Sequence, residues 1–464
     1  MMRIRVLTAT VATAALLAGC SVGPAVGPEY ERPALSLPLQ WLGVGGGETS
    51  LVANAEAAKN DAAWWQIFGD DTLNGLMSQA LERNGDLRMA QAAVAEARGA
   101  RLAANAALLP AIDGVAQGSR GDNNAAGSIG QSGSAGFDAS WEIDLFGGNR
   151  RAAQAARARL GGAVAEAEFT RISLLAEVAN SYLSTRMLQQ QLAIARQNLS
   201  DQQETLRLVE AQFKEGVVNG LVVAQNRAQA ASTAAQIPQL EANLKATQNA
   251  LGVLVGSQPA EIEATLGGVK PVPMATPRVL VDTPANVIAK RPDVAAAERA
   301  LQAAVADQGV AMANWFPKIS LTGFFGITDF GSGNGSEGWN VGGVVRLPMI
   351  DFGRVRALTR QADARQQRAL ANYEQVVLGA VADVETRLSA YVKAVEASER
   401  LKESADASRE AFRLAKLQYT EGVASNLEVL TAEQSKLAAE SAEAQGNAAV
   451  GQNLATLYKA LGGF

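Results

Sequence analysis

Ala135-Gly136-Phe137-Asp138-Ala139-Ser140-Trp141-Glu142-Ile143-Asp144-Leu145 is the stretch that decides the fold of this chain. Its odd positions are apolar and its even positions are glycine, serine or acids. A period of two is the signature of a β-strand with one apolar and one polar face. Trp339, Val341, Gly343, Val345 and Leu347 repeat the pattern, alternating with Asn340, Gly342, Val344 and Arg346. Ile319, Leu321, Gly323, Phe325 and Ile327 form a third apolar face, and Ile112 to Arg120 is a fourth, weaker strand. Alternation held over about ten residues fits a transmembrane strand, lipid on one face and water on the other. A soluble antiparallel sheet resting on helices alternates as well, so the pattern alone leaves both readings open. On the membrane reading Trp141, Ile143 and Val345 face lipid, while Asp138, Glu142 and Arg346 face a lumen. The Gly/Ser-rich stretches Gly118 to Gly133 and Gly331 to Gly338 are then exterior hairpin loops.

Four strands cannot close a barrel, and an open edge in lipid leaves backbone groups unpaired at several kcal/mol each. Other copies must complete it. Eight strands from two copies would be filled by side chains, whereas twelve from three leave room for a conduit. Each hairpin is entered and left by helices on one side, which places all the helices in the periplasm if the loops face outward.

The chain is written twice. Phe146-Gly147 recurs as Phe352-Gly353, and Gln212-Phe213-Lys214-Glu215-Gly216-Val217 recurs as Gln418-Tyr419-Thr420-Glu421-Gly422-Val423, at a constant offset. Asp86, Pro110 and Ile112 recur as Asp293, Pro317 and Ile319, shifted by one more residue. Each unit reads as a helix (Asp86 to Leu108; Asp293 to Asn314), two strands, and a long helix (Arg150 to Glu215; Val355 to Glu421). A glycine turn and a second helix follow (Leu221 to Val255; Leu427 to Leu461). About 66 residues of helix reach roughly 100 Å. Apolar residues at helical spacing, such as Ile172, Leu175, Val178 and Tyr182, indicate coiled-coil-like packing. Residues 86–255 and 293–464 are therefore the repeats, and the proline-rich segment 256–292, like Pro24 to Pro38, reads as linker or irregular structure.

Composition sets the class of function. The 464 residues carry 41 Lys+Arg against 46 Asp+Glu, for a net charge of −5, with no histidine and one cysteine. An acidic chain without a basic block has no nucleic-acid partner. Without histidine, and with a single cysteine, there is no Ser-His-Asp or Cys-His catalysis, no Cys/His zinc site and no internal disulfide. The glycine clusters Gly43 to Gly47 and Gly331 to Gly335 lack the Gly-Lys-Ser/Thr of a phosphate loop. Asp70-Asp71 is expected to cap a helix, and the eight scattered methionines do not form a copper site. Nothing here points to an enzyme, a metal or a cofactor.

Arg3 and Arg5 before the apolar run Val6 to Leu17 make residues 1–19 a secretory signal, too short to span a bilayer. Leu17-Ala18-Gly19-Cys20 is similar to a bacterial lipobox, which makes Cys20 the lipidated first residue of the mature chain. Ordinary cleavage leaving a free thiol is the alternative. Ser21 after the cysteine resembles lipoproteins sent on to the Gram-negative outer membrane.

Taken in order, the chain resembles the TolC-like outer-membrane factor family, in its NodT-type lipoprotein efflux branch. The resemblance rests on Gly27-Pro28-Glu29-Tyr30-Glu31-Arg32-Pro33, Trp64-Trp65-Gln66-Ile67-Phe68, Arg291-Pro292-Asp293-Val294, Phe316-Pro317-Lys318-Ile319, Asp351-Phe352-Gly353-Arg354 and Leu457-Tyr458-Lys459-Ala460-Leu461-Gly462. It implies a mainly α homotrimer with a 12-stranded barrel, a long periplasmic helical barrel and an equatorial domain. Residues 20–85 and 256–292 would contribute to that equatorial part. It further implies a periplasmic adaptor and an inner-membrane resistance-nodulation-division pump. The tips Gly216, Val217, Leu221, Gly422, Val423 and Leu427 would dock the adaptor. By residue match Tyr419 and Glu428, with Arg413 as a charged partner, would shut the resting channel. Thr431 and Val222 depart from the family pattern, in which some relatives carry an acid. The expected function is passive export through the outer membrane. A channel for ABC-driven protein secretion and a pore-less structural envelope lipoprotein are the alternatives.

Overall fold

Apolar periodicity over two pairs of long segments, broken by one glycine turn each, builds most of this molecule from helical hairpins. The computed structural model describes residues 24–34, 36–42, 52–54, 63–123, 128–276, 279–328 and 335–463. The signal segment and Cys20 lie outside the described residues, as do Gly43 to Gly47. In chain order the elements are β1 (Val52–Asn54), a 3-10 turn (Trp64–Phe68), α1 (Asp71–Arg83), α2 (Gly85–Ala106), β2 (Ala111–Asn123) and β3 (Ser128–Ile143). Then come α3 (Gly148–Lys214), α4 (Gly220–Val255), α5 (Pro259–Leu266), β4 (Val279–Val281), α6 (Pro284–Lys290) and α7 (Pro292–Ala313). The chain closes with β5 (Lys318–Thr328), β6 (Ser336–Arg346), α8 (Arg354–Thr420) and α9 (Asn426–Ala460). The series α2-β2-β3-α3-α4 recurs as α7-β5-β6-α8-α9, the repeat expected from sequence. Both α3 and α8 run 67 residues.

Two compact units share these elements. One gathers Ala92–Ala165 and Ala295–Gln375 with the described N-terminal residues, and holds an antiparallel sheet in the order β2-β3-β5-β6. The N-terminal Gly27-Pro28-Glu29-Tyr30 segment has no regular structure, yet it is tied down. The buried Arg151 guanidinium donates to the carbonyls of Ala25, Val26 and Gly27 and to Glu29. The Tyr30 hydroxyl donates to Glu298, which also pairs with Arg32. Asp144 starts α3 by accepting from the Asn149 and Arg150 amides.

The other unit is Ser36–Gln91, Glu166–Val294 and Val376–Phe464. Trp64, Phe68, Leu73, Leu76, Met77, Tyr182, Leu183, Leu251, Leu266, Val384, Leu388, Tyr391, Leu454 and Leu457 form its core. Trp64 stacks on Tyr458 at 5.1 Å. The buried Arg186 donates to the Tyr182 hydroxyl, which donates at 2.5 Å to Asp70. Asp70 caps α1, as expected, by accepting from the Thr72 and Leu73 amides. Burial pushes the Asp70 carboxyl up, but hydrogen bonds from Tyr182, Leu73 and Thr72 outweigh it and hold the group below its usual range.

Two expectations need correction. The stretch Gly118 to Gly133 is mostly strand, because β2 and β3 stay paired from Gly118↔Gly133 out to Asn123↔Ser128. Likewise β6 already begins at Ser336. Small residues were read as loop, but in a sheet they only reduce side-chain packing. The segment 256–292 is not a linker either. It carries α5, β4 and α6 and buries Ile262, Leu266, Val281, Val287 and Ile288. β4 pairs in parallel with β1, a short sheet the sequence reading missed. Prolines there start helices at Pro259 and Pro284, where a missing N–H costs nothing.

Candidate functional site

The four-stranded sheet sorts its side chains by register. Residues paired across antiparallel strands share a face. Phe137 faces Phe325, which faces Trp339, and Ala139 faces Gly323, which faces Val341. Ile143, Ile319 and Val345 make another such row, and Trp141 pairs with Leu321. Trp141, Ile143 and Val345 therefore share one apolar face, with Ile112 opposite Ala139. Trp339 and Val341 are 77% and 76% exposed on it.

Asp138, Glu142 and Arg346 fall together on the opposite face. With them are Asp113, Ser140, Lys318, Ser320, Thr322 and Asn340. Lys318 stands opposite Arg346, and its ammonium lies 3.9 Å from Glu142. Phe324 breaks the polarity for a local reason. Gly136 and Gly326 are directly paired, and a Cβ on Gly136 would lie 2.4 Å from the Phe325 carbonyl oxygen. The Phe324 ring covers that bare pair, its nearest atom 3.0 Å from the same position. Trp141 is anchored at the sheet's end by an indole N–H donated to the Leu108 carbonyl at 3.1 Å.

The helical hairpins turn where the glycines stand. Gly216 and Gly422 both have φ of 75°, the left-handed conformation that a side chain resists. After α3, the Gly216 amide donates to the Phe213 carbonyl and the Val217 amide to the Gln212 carbonyl. After α8, Gly422 and Val423 donate to Tyr419 and Gln418 in the same way. Both are Schellman caps. Val217, Leu221, Val423 and Leu427 are exposed around the two turns. The next helices start differently. Asn219 caps α4 alone, whereas Ser425 and Glu428 form a reciprocal capping box on α9.

The residues expected to act together at the second turn have separate partners within this chain. The Tyr419 hydroxyl donates to Gln212 at 3.5 Å. Arg413 makes a forked pair with Glu410 at 2.7 and 2.8 Å. The Glu428 carboxylate accepts from the Ser425 amide and hydroxyl, and the amide contact first holds it below its usual range.

A polar layer that sequence reasoning missed, buried at Asn226, Asn426 and Glu433, joins the two hairpins. Asn226 of α4 donates to Asn426 of α9 at 3.2 Å, and Gln434 donates to Gln229. Glu433 is only 5% exposed. Burial pushes its carboxyl up to about 7; Lys436 and Lys416 oppose the rise and Asp201 reinforces it. A signal for it was present, since Asn426, Val429, Leu430 and Glu433 fall at inward-facing helical spacing.

The model of the family described as outer membrane efflux protein matches this chain twice, over residues 76–257 and 283–463. The pyoverdine export outer membrane protein OpmQ of Pseudomonas putida is 32% identical over 430 residues, covering 90% of this chain and 91% of that one. The cation efflux system protein CusC of Escherichia coli is 32% identical over 459 residues, covering 96% and 97%. The solved outer-membrane channel OprN superposes with a TM-score of 0.86 at 34% identity, covering 95% of this chain and 99% of that one.

Proposed function

We propose that this chain, which belongs to the outer membrane efflux protein family, works as a homotrimer that conducts cargo from a periplasmic adaptor and an inner-membrane resistance-nodulation-division pump to the cell exterior. The family and the channel relatives make it an outer-membrane export channel of a tripartite efflux system, and not an enzyme. The observation that carries the finer reading is the division of the sheet into two faces. A row of Phe137, Phe325 and Trp339 against a row of Asp138, Glu142 and Arg346 suits a wall between lipid and water. Three copies supply twelve strands and an open lumen. A diacylated or triacylated Cys20 would anchor each copy, since each buried methylene contributes ~0.8 kcal/mol.

At the helical turns the exposed Val217, Leu221, Val423 and Leu427 offer the adaptor an apolar surface, with Gly216 and Gly422 at their centre. Tyr419, Glu428 and Arg413 would line the resting constriction. Because Arg413 is held by Glu410, it would reach a neighbouring copy only by exchanging that partner. Cargo selection falls to the pump, so the channel serves whatever class of compound the pump delivers, as the pyoverdine and cation relatives do for theirs. Planar-bilayer recording of the purified protein, followed by co-purification with the adaptor, tests this. Discrete conductance steps and a retained adaptor are expected. A protein that inserts without conducting would overturn the reading.

A further inference from the structure

The corner from β3 into α3 and the corner from β6 into α8 are counterparts in the repeat, but their chemistry differs. At the first, Arg150 pairs with Asp144 at 3.4 Å and the Phe146 ring stacks on Phe316. At the second, Arg356 stands for Arg150 and Ile350 for Asp144, so the arginine has lost its acid. Met349, Ile350 and Phe352 are exposed there, Phe352 by 99%. Asp351 accepts from the Gly353 and Val355 amides and stands beside Arg354. Arg356 and Arg360 are both exposed and have no acidic partner among the described residues. α8 also carries no acid in its first turn. Two unpaired cations therefore stand at the positive end of a 67-residue helix, where the helix dipole disfavours them. An anion from outside the chain would reverse that.

Trp315 marks the level at which the anion would lie. It is 52% exposed, and its indole N–H donates to the Thr359 hydroxyl at 3.0 Å, between Arg356 and Arg360 on α8. An exposed indole ring with its N–H satisfied suits the boundary between hydrocarbon and headgroups. The far end of the apolar face carries the row Phe137, Phe325 and Trp339. Phe325 stands ten residues after Trp315. Ten residues of extended chain rise at most ~33 Å, or ~25 Å at the tilt of a barrel strand, which is the height of an apolar band between its aromatic girdles.

Depth then selects the arginines. A helix rises 1.5 Å per residue, so Arg356 and Arg360 lie within about 9 Å of the start of α8. The headgroup layer is about 5–8 Å deep, and a long arginine side chain spans the remainder. Arg365 and Arg368 lie roughly 16–21 Å down, out of reach, and Arg365 is beside Asp307. Exposed apolar side chains at the edge of the sheet, followed at once by unpaired cations, form an interfacial pattern.

We propose that this corner binds anionic phospholipid in the leaflet on the helical side of the sheet. Trp315, Ile350 and Phe352 enter the edge of the hydrocarbon, and the Arg356 and Arg360 guanidiniums bind headgroup phosphates, whose geometry their planar forks match. This rests on the lipid-facing reading of the sheet above and adds the class of lipid and the residues that select it.

Quenching of tryptophan fluorescence by brominated lipid tests it in the full-length lipidated protein. The protein is reconstituted in phosphatidylcholine vesicles containing equal amounts of either brominated phosphatidylcholine or brominated phosphatidylglycerol. Trp315→Phe and Trp339→Phe variants give each ring's share of the signal. Trp315 should be quenched by both lipids and favour phosphatidylglycerol about fivefold, the attraction of one cation near an anionic surface. Arg356→Gln with Arg360→Gln should remove that preference, and Arg356→Lys with Arg360→Lys should keep most of it. Equal quenching by the two lipids in the parent, or a preference that survives glutamine, would overturn the proposal. So would a Trp315 untouched by either lipid while Trp339 is quenched, which would mean that another copy or the lumen covers this corner; the channel reading would stand. A Trp339 untouched by either lipid would instead overturn the lipid-facing reading of the sheet.

Discussion

The helical core and the sheet use the same apolar residue types in opposite ways. Around Leu388, Tyr391 and Leu454 every large side chain is buried within one copy of the chain. On the sheet Phe137, Phe325, Trp339 and Val341 stand in the open on one face. Scattered exposure would signal poor packing, whereas large apolar side chains gathered on one face of a sheet mark a surface built for a partner medium. The core is complete in one copy; on the trimeric reading proposed above, the sheet is completed by lipid and by other copies.

The largest way to break this contrast is to cut the core. Leu388→Ala removes a fully buried side chain and should destabilise the folded chain by ~2–5 kcal/mol, whereas Phe325→Ala should cost far less in detergent. Chemical unfolding followed by circular dichroism reads both. Equal losses would mean that the sheet's apolar face is packed against protein.

The next effect appears only in the membrane. Arginine at Val345 should cost ~2–4 kcal/mol if that position is near the bilayer midplane, and at Ser140, on the opposite face, much less. Heat-resistant trimer yields from outer membranes compare Val345→Arg with Ser140→Arg. Equal yields would show that the two faces are not lipid and lumen.

How much of this contrast could be read from residues alone differs between the regions. The faces of the sheet were legible because side chains of a strand alternate regardless of neighbours, and Asp138, Glu142 and Arg346 did fall together. Helix ends were legible from Gly216, Gly422 and the prolines, since caps are local chemistry. The short β1–β4 pair and the buried Glu433 were not. Val52–Asn54 and Val279–Val281 meet across more than two hundred residues, and three residues carry no period. Glu433 shares the helical spacing of Asn426, Val429 and Leu430, but its charge reads as that of a surface acid until the neighbouring helices are in place. The role of Glu428 was half legible, because the Ser425 to Glu428 spacing was a capping box that a functional reading overlooked.

Glu433 sharpens the comparison from the core side, since it is a titratable group buried within one copy of the chain. Its carboxyl holds a proton up to about 7 in the folded chain, against an ordinary value of 4.5. The folded state therefore binds the extra proton between those values, and stability should fall as pH rises from about 4.5 to about 7. The groups facing it are Lys436 on its own helix, Lys416 on α8, and Asp201 and Gln202 on α3. Glu433→Gln should flatten that dependence, with roughly 1–3 kcal/mol at stake. Unfolding midpoints of parent and variant between pH 5 and 8 check it; parallel profiles would show that this carboxylate is already ionised.

The smallest effect on stability lies at the second helical turn, where the expected readout is current. Tyr419 and Glu428 were matched to a resting constriction, yet Glu428 also closes the capping box that starts α9. Removing it with alanine would confound the two roles. Glutamine separates them, because a capping box accepts Gln at the third helical position as well as Glu, while the charge is gone. If the carboxylate helps shut the channel, Glu428→Gln with Tyr419→Phe should raise single-channel conductance and vancomycin sensitivity, with the heat stability of the trimer unchanged. Glu428→Ala with Tyr419→Phe should raise conductance to the same degree and loosen the start of α9 in hydrogen exchange. Conductance that rises only with alanine would assign Glu428 to the cap alone. The constriction would then belong to the packing of Tyr419 and the exposed Val423 and Leu427 around the turn.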